Sequence, residues 1–161
     1  YKRQVSLNAN DKMEKIKVTS SAFEHNGTIP SKYTCDGNDI NPALNFSEVP
    51  EKAQSLALIV DDPDAPMGTW THWVVWNINP DSSGIEENSI PFDALQGKND
   101  FGKLEYGGPC PPSGKHHYYF KLFALDTKLD LQEGSTIRDL ESAMEGHILE
   151  QSKLVGIYSR E

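Results

Sequence analysis

The stretch HHYYFKLFAL, residues 116–125, decides the fold. Side chains of a strand alternate between two faces, and here both alternating sets are largely apolar or aromatic. That pattern belongs to a central strand covered on both sides. Two further runs join it: SLALIVD at 55–61 is continuously apolar, and WTHWVVWNI at 70–78 is dense in aromatic and β-branched residues. Shorter strands are expected at Ile16–Thr19 and Leu154–Tyr158. Residues 25–50 are crowded with turn formers (His25-Asn26-Gly27, Cys35-Asp36-Gly37-Asn38, Asn41-Pro42, Val49-Pro50) and read as an extended loop with at most brief strands. One helix is signalled late in the chain. Thr136 is its N-cap, Asp139 completes a capping box, and Ile137, Leu140, Met144 and Ile148 form its apolar stripe. His147 is expected in its last turn, where a cation complements the helix dipole. Strands dominate, so the fold class is mainly β with one helix in the C-terminal region; the βαβ alternation of nucleotide-binding folds is missing.

The chain has 161 residues, 37% hydrophobic and 24% charged, and one domain accommodates them. That domain is expected at 13–161. Residues 1–12 (YKRQVSLNANDK) are polar and lack the apolar core of a signal peptide, so they read as a flexible leader, either a cloning remnant or the mature end of a precursor. The cytoplasm is the expected compartment, with a periplasmic or secreted location open. A net charge of −9 argues against nucleic acid as a partner and against attraction to an anionic bilayer. No apolar run reaches the roughly 18 residues of a membrane helix, so an integral membrane protein is not expected. Cys35 and Cys110 could pair or stand as separate buried thiols; spacing does not choose.

Any anion bound by so acidic a chain needs a local cluster of donors, and three segments gather polar groups. In Asp61-Asp62-Pro63-Asp64-Ala65-Pro66, alternation places Asp62 on the face of Leu56, Leu58 and Val60, where a carboxylate must be paired. The prolines stiffen the turn that follows. In the second segment, period two puts Trp70, His72, Val74, Trp76 and Ile78 on one face. The third, YGGPCPPSGKHHY at 106–118, is a rigid Gly/Pro loop leading into a strand. His116 and Tyr118 share one face of that strand, and His117 and Tyr119 the other. The Gly pair would let backbone amides approach a ligand closely.

These segments, DPDAP at 62–66, GTWTHWVV at 68–75 and GGPCPPSGKHHYYF at 107–120, resemble in order and spacing the phosphatidylethanolamine-binding proteins, also called Raf kinase inhibitor-like proteins. YTCDG at 33–37, DFGKLEYGG at 100–108 and the closing GHILEQSKLVGIYSR look like the bacterial and archaeal branch. The resemblance covers roughly residues 15–160. It implies a two-sheet antiparallel β-sandwich with Greek-key connections and a small pocket near one end for phosphate-like anions or a phospholipid head group. Carried over by motif, Asp62, Pro66, Trp70, His72, Gly108, Pro109, His116 and Tyr118 would line that pocket, and Asp64 would belong to it or brace its loop. Eukaryotic members usually have two histidines after the tryptophan, where this chain has Thr71 and His72, so kinase regulation and flowering control are not carried over.

The expected function is therefore a non-catalytic binding protein, with no cofactor and no metal. Asp62 would orient a pocket histidine, and anion affinity would rise as pH falls through the histidine range. One alternative is a protein–protein regulatory module, inhibitor-like towards a kinase or protease, whose pocket is regulatory. A second is a hydrolase with Cys110 as nucleophile and His116 as base, although Cys110 lies between two prolines and matches no cysteine-protease signature. A metal site built on Asp62, His72, His116 and His117 is disfavoured because neighbouring strand residues face opposite ways. The resemblance also leaves a homodimer open.

Overall fold

The computed structural model describes residues 15–160, so the leader expected at 1–12 lies outside the described residues. In chain order the elements are β1 (Lys17–Thr19), β2 (Gly27–Thr28), a 3-10 turn at Ser31–Tyr33, β3 (Leu44–Ser47), β4 (Ser55–Asp62), β5 (Trp70–Ile78), β6 (Gly84–Ile85), β7 (Leu95–Gln96), β8 (Gly114–Leu125), α1 (Ile137–Met144) and β9 (Ile148–Arg160). They form two sheets. One has three strands in the order β1-β3-β6, the other six in the order β2-β9-β8-β4-β5-β7. All pairings are antiparallel but one: β2 runs parallel to β9, against the all-antiparallel expectation.

Burial explains the strand order. β4 is buried at every position and lies between β5 and β8, both long and apolar. Its Leu56, Leu58 and Val60 join Val18, Leu44 and Phe46 of the small sheet in one core. Its Ala57 and Ile59 join Val74, Trp76, Leu140 and Met144 in a second core beneath α1. Burying each Leu, Ile or Val fully contributes roughly 1.5–3 kcal/mol, so the central strands are fixed from both sides.

β5 departs from simple alternation. Its pairing with β4 runs Val60↔Trp73 and then Asp61↔Thr71, which leaves His72 as an extra residue in a bulge. A second irregularity lies between the Leu56↔Ile78 and Leu58↔Val75 pairs, where Asn77 adopts a left-handed φ of 56°. As a result Trp73, Val75 and Ile78 face the inter-sheet core, while Val74 and Trp76 face α1. The single face expected for residues 70, 72, 74, 76 and 78 is split. The bulge is what turns His72 inward beside Trp73, because one extra residue reverses the side on which the following side chains emerge.

α1 carries the expected capping box, with the Thr136 side chain accepting from the Asp139 N–H and the Asp139 carboxylate from the Thr136 N–H. The helix ends earlier than expected. Glu145 is its C-cap, and Gly146 turns the chain at φ 83°. Ile148 therefore opens β9, and His147 faces Asp126 at 2.8 Å across a turn instead of serving the helix dipole. β9 is also much longer than the expected Leu154–Tyr158. Its half-buried polar residues Glu150–Ser152 are held by the ladder to β8, which runs from Gly114↔Arg160 to Leu125↔Ile148. Cys35 and Cys110 form a disulfide with their Cα atoms 5.4 Å apart, tying the turn after Ser31–Tyr33 to the loop before β8.

Candidate functional site

β4, β5 and β8 run side by side, and their ends bring the three polar segments together. Asp62 closes β4 and is almost fully buried. Its Oδ2 lies 2.6 Å from His116 Nδ1 on β8, and its Oδ1 accepts the Asp64 N–H at 2.8 Å. Asp64 turns to the other side of β8. Its Oδ2 accepts the His117 backbone N–H at 2.9 Å and lies 2.7 Å from His117 Nδ1. The DPDAP turn is thus clasped to β8 by one pair inside and one outside.

His72 is placed by a different loop. Its Nδ1 lies 2.7 Å from the Gly107 carbonyl, and the Gly107 N–H donates back to the His72 carbonyl at 3.0 Å. Beyond the neighbouring Thr71, Asp100 accepts the Thr71 N–H at 2.6 Å and returns its own N–H to the Thr71 carbonyl at 2.9 Å. Buried Asn99 organises this loop, accepting from the Phe101 and Lys103 N–H groups and donating to the Glu105 carbonyl. The loop presents Phe101 edge-on to Trp70 and to His72, with ring centroids 5.6 and 5.4 Å away.

Between these elements lies a cavity of about 240 Å³. Six of the nine sequence-predicted residues line it: Asp62, Pro66, Trp70, His72, His116 and Tyr118. The other three do not. Asp64 braces the turn through His117. The Gly108 N–H is taken by Asp39 Oδ1 at 2.7 Å, and the Pro109 carbonyl by the Cys35 N–H at 3.1 Å. The Gly pair serves close packing, since a Cβ on Gly108 would collide with the Tyr33 carbonyl and one on Gly107 with the Phe101 ring. Sequence reading expected those amides to be offered to a ligand; they are already engaged within the chain. Ala65, Met67, Phe101, Cys110, Pro111 and Pro112 complete the wall, and the sequence does not single them out as lining. A signal for Phe101 existed in the DFGKLEYGG stretch, but only the loop's closure onto β5 brings its ring to the cavity.

The chemistry of the cavity is set by its hydrogen bonds. A ring nitrogen facing a carbonyl carries the proton, so His72 Nδ1–H donates to Gly107. His116 Nδ1–H likewise donates to the Asp62 carboxylate. Each imidazole keeps Nε2 as its uncommitted polar atom. Burial pushes the His72 imidazole below its ordinary value, against smaller opposing pulls from the Gly107 carbonyl and Asp62. Burial also raises the Tyr118 hydroxyl well above the usual tyrosine range, with Asp62 adding to the effect. Tyr118 is 1% exposed, packs edge-on to His72 at 5.3 Å, and its hydroxyl has no hydrogen-bond partner among the described residues. A buried hydroxyl without a partner costs about 1–3 kcal/mol. Among the described residues, no group of three or more His, Cys, Asp or Glu side chains is arranged to hold a metal ion, and no helix is long and apolar enough to cross a membrane.

Comparison with known proteins agrees with this architecture. Residues 19–159 match the family model described as phosphatidylethanolamine-binding protein. A UPF0098 protein of Methanothermobacter thermautotrophicus is 54% identical over 150 residues, spanning 90% of this chain and 99% of the relative. Among solved structures, a Chlamydia trachomatis protein described as a homolog of phosphatidylethanolamine-binding protein superposes with a TM-score of 0.88 at 44% identity, over 92% of this chain and 99% of the other. Escherichia coli YbcL, described as a member of the mammalian family of the same name, superposes with a TM-score of 0.86 at 31% identity, over 91% and 99%.

Proposed function

The chain belongs to the phosphatidylethanolamine-binding protein family, and from that premise we propose that its cavity is a non-catalytic binding site for a small phosphate-like group, free or carried by a larger molecule such as a lipid head group. The observation that carries this reading is the unpartnered hydroxyl of Tyr118 between two histidines whose Nδ1 atoms are already committed. His72, His116 and Tyr118 all line a cavity of about 240 Å³, room enough for one tetrahedral oxyanion. Catalysis through Cys110 is not favoured, because that sulfur is held in the disulfide with Cys35. Calorimetric titration with phosphoethanolamine and with inorganic phosphate tests the proposal, on wild type and on His72→Ala and His116→Ala. Saturable binding in wild type that both variants lose is expected. Heat-silent titrations of a folded, anion-free protein would sink it.

A second reading draws on the cavity mouth. Met67 is 96% exposed, and Trp70 and Phe101 stand partly exposed beside it, an apolar rim of the kind that marks contact surfaces. A regulatory module whose protein contact is released by the pocket anion would use this rim, and a pull-down whose recovered partner is eluted by phosphate would favour it.

A further inference from the structure

We infer that the Cys35–Cys110 disulfide is a redox-active pair that controls one wall of the cavity: reduced by an external dithiol, it releases the segment 110–113 and weakens binding. The effect on binding rests on the phosphate-site reading above; the release of the wall does not. The chain has two cysteines, and both are exposed. Their bond joins positions 75 residues apart in sequence. Cys110 itself lines the cavity, and Pro111 and Pro112 continue the wall. Exposed disulfides are the ones that thiolates reach, and the labile and regulatory members of the class are drawn from them.

The chain is tied unequally on the two sides of Cys110. Upstream, the Tyr106 hydroxyl donates to the Tyr33 carbonyl at 2.8 Å, the Gly108 N–H to Asp39 Oδ1 at 2.7 Å, and the Cys35 N–H to the Pro109 carbonyl at 3.1 Å. These bonds do not need the disulfide, so 106–109 stays docked and the Gly107 carbonyl stays on His72. Downstream, Pro111 is buried but Pro112 and Ser113 are exposed. Among the described residues, the hydrogen bonds to 110–113 come from a single side chain. Arg160 Nη1 reaches the Cys110 sulfur at 3.6 Å and the Pro111 carbonyl at 3.4 Å. Gly114, at a left-handed φ of 77°, then joins this segment to β8. The disulfide is therefore the one covalent anchor of a wall that is otherwise lightly held. Reduction balances as an exchange. A thiolate of the dithiol attacks one sulfur and the other leaves. The second thiol of the dithiol, as thiolate, then displaces the first sulfur. The S–S bond passes to the dithiol, and the chain gains two electrons and two protons as two thiols. Beside Cys110 the Arg160 guanidinium, which it shares with Asp36 at 3.3 Å, offers the departing thiolate a counter-charge.

Ordering a loosened wall around a ligand costs conformational entropy, so the reduced chain binds the same ligand more weakly. The coupling is reciprocal: a ligand that favours the oxidised wall makes the disulfide harder to reduce by the same factor. The test compares the wild-type chain oxidised and after reduction with dithiothreitol. Backbone order parameters of Ser113 and Gly114 are expected to fall from about 0.85 to about 0.6 or lower on reduction, while those of Gly107 and Gly108 hold. Calorimetric affinity for inorganic phosphate and for phosphoethanolamine is expected to fall by about fivefold or more, and to return when the pair is reoxidised. The double variant Cys35→Ser, Cys110→Ser should bind like the reduced chain and ignore dithiothreitol. Unchanged order parameters on reduction would overturn the inference. So would a reduced chain that no longer melts cooperatively, since the disulfide would then be a requirement of the fold. Equal affinities in the two states would overturn it and leave the phosphate-site reading standing. Binding in neither state would sink the phosphate-site reading, and the order parameters alone would then decide whether the pair releases the wall.

Discussion

His116 and His117 are neighbours on β8, and each faces an aspartate from the same proline-bounded turn. The inner pair, His116–Asp62, closes at 2.6 Å and the outer pair, His117–Asp64, at 2.7 Å. Donor, acceptor and spacing are nearly the same; the surroundings are not. The inner side chains are 8% and 4% exposed, the outer ones 40% and 41%. Strand alternation alone separates them, sending one histidine into the cavity and the other to solvent. The comparison teaches that contact geometry does not rank such pairs. Water screens the outer one and competes for its groups, whereas the inner one has only its partner to satisfy it.

The sharpest way to break this comparison is to delete each carboxylate. Asp62→Ala leaves His116 and the Asp64 N–H without their acceptor in a buried place, and is expected to cost about 3–5 kcal/mol, read as a lowered urea midpoint at unchanged slope. Asp64→Ala is expected to cost under about 1 kcal/mol. Equal costs would show that the turn acts as one unit and that burial does not divide the pairs.

Tyr118→Phe sharpens the comparison from the ligand side. The hydroxyl has no partner among the described residues, so removing it should leave stability unchanged or slightly higher. Phosphate affinity should fall by about tenfold, the worth of one hydrogen bond to an ionised group. Loss of stability without loss of binding, followed by thermal melts and calorimetry on one preparation, would place the hydroxyl outside the site.

What the sequence made legible follows the same divide between local pattern and long-range closure. β4, β5, β8 and the start of α1 could be read because burial imposes a periodicity that survives in the residues. So could the Asp62, His72, His116 and Tyr118 cluster, through its motifs. The sequence signals only Leu154–Tyr158 of β9 because Glu150–Ser152 give no apolar signal; β8 supplies their pairing. The β5 bulge was invisible for a related reason. Nothing in WTHWVVWNI says which residue will be skipped, since the choice is made by register against β4. Gly108 and Pro109 lay in the right motif but serve the contact with Tyr33, Cys35 and Asp39, a segment some 70 residues earlier in the chain. The disulfide was likewise open until the distance between its ends was known.

A third perturbation is pH, acting through His72. Burial holds its folded-state value below the ordinary one, while the unfolded chain titrates near 6.5. Below about pH 6.5 the unfolded state therefore takes up the proton first, and stability declines with falling pH until the folded-state value is passed. Urea midpoints in phosphate-free buffer are expected to drop between pH 7.5 and 5.5 in wild type, and less so in His72→Gln. Parallel declines in the two proteins would assign the effect to other groups.

The smallest expected effect concerns the outer pair. Its hydrogen bonds from His117 hold the Asp64 carboxyl below the usual carboxylate range. That contribution is present above the unfolded carboxyl's value, about 3.9, and is lost as pH falls through the lower folded one. In Asp64→Asn the turn keeps an acceptor for the His117 N–H but loses the charge. A loss of about 0.2–1 kcal/mol at pH 7 is expected, shrinking in 0.5 M salt because both side chains face water. Phosphate affinity should move by less than about threefold, since Asp64 touches the turn and not the cavity. If affinity fell as far as in Tyr118→Phe, the outer clasp would be setting the position of Pro66 in the cavity wall. The two aspartates would then form one device, with burial dividing their energies but not their roles.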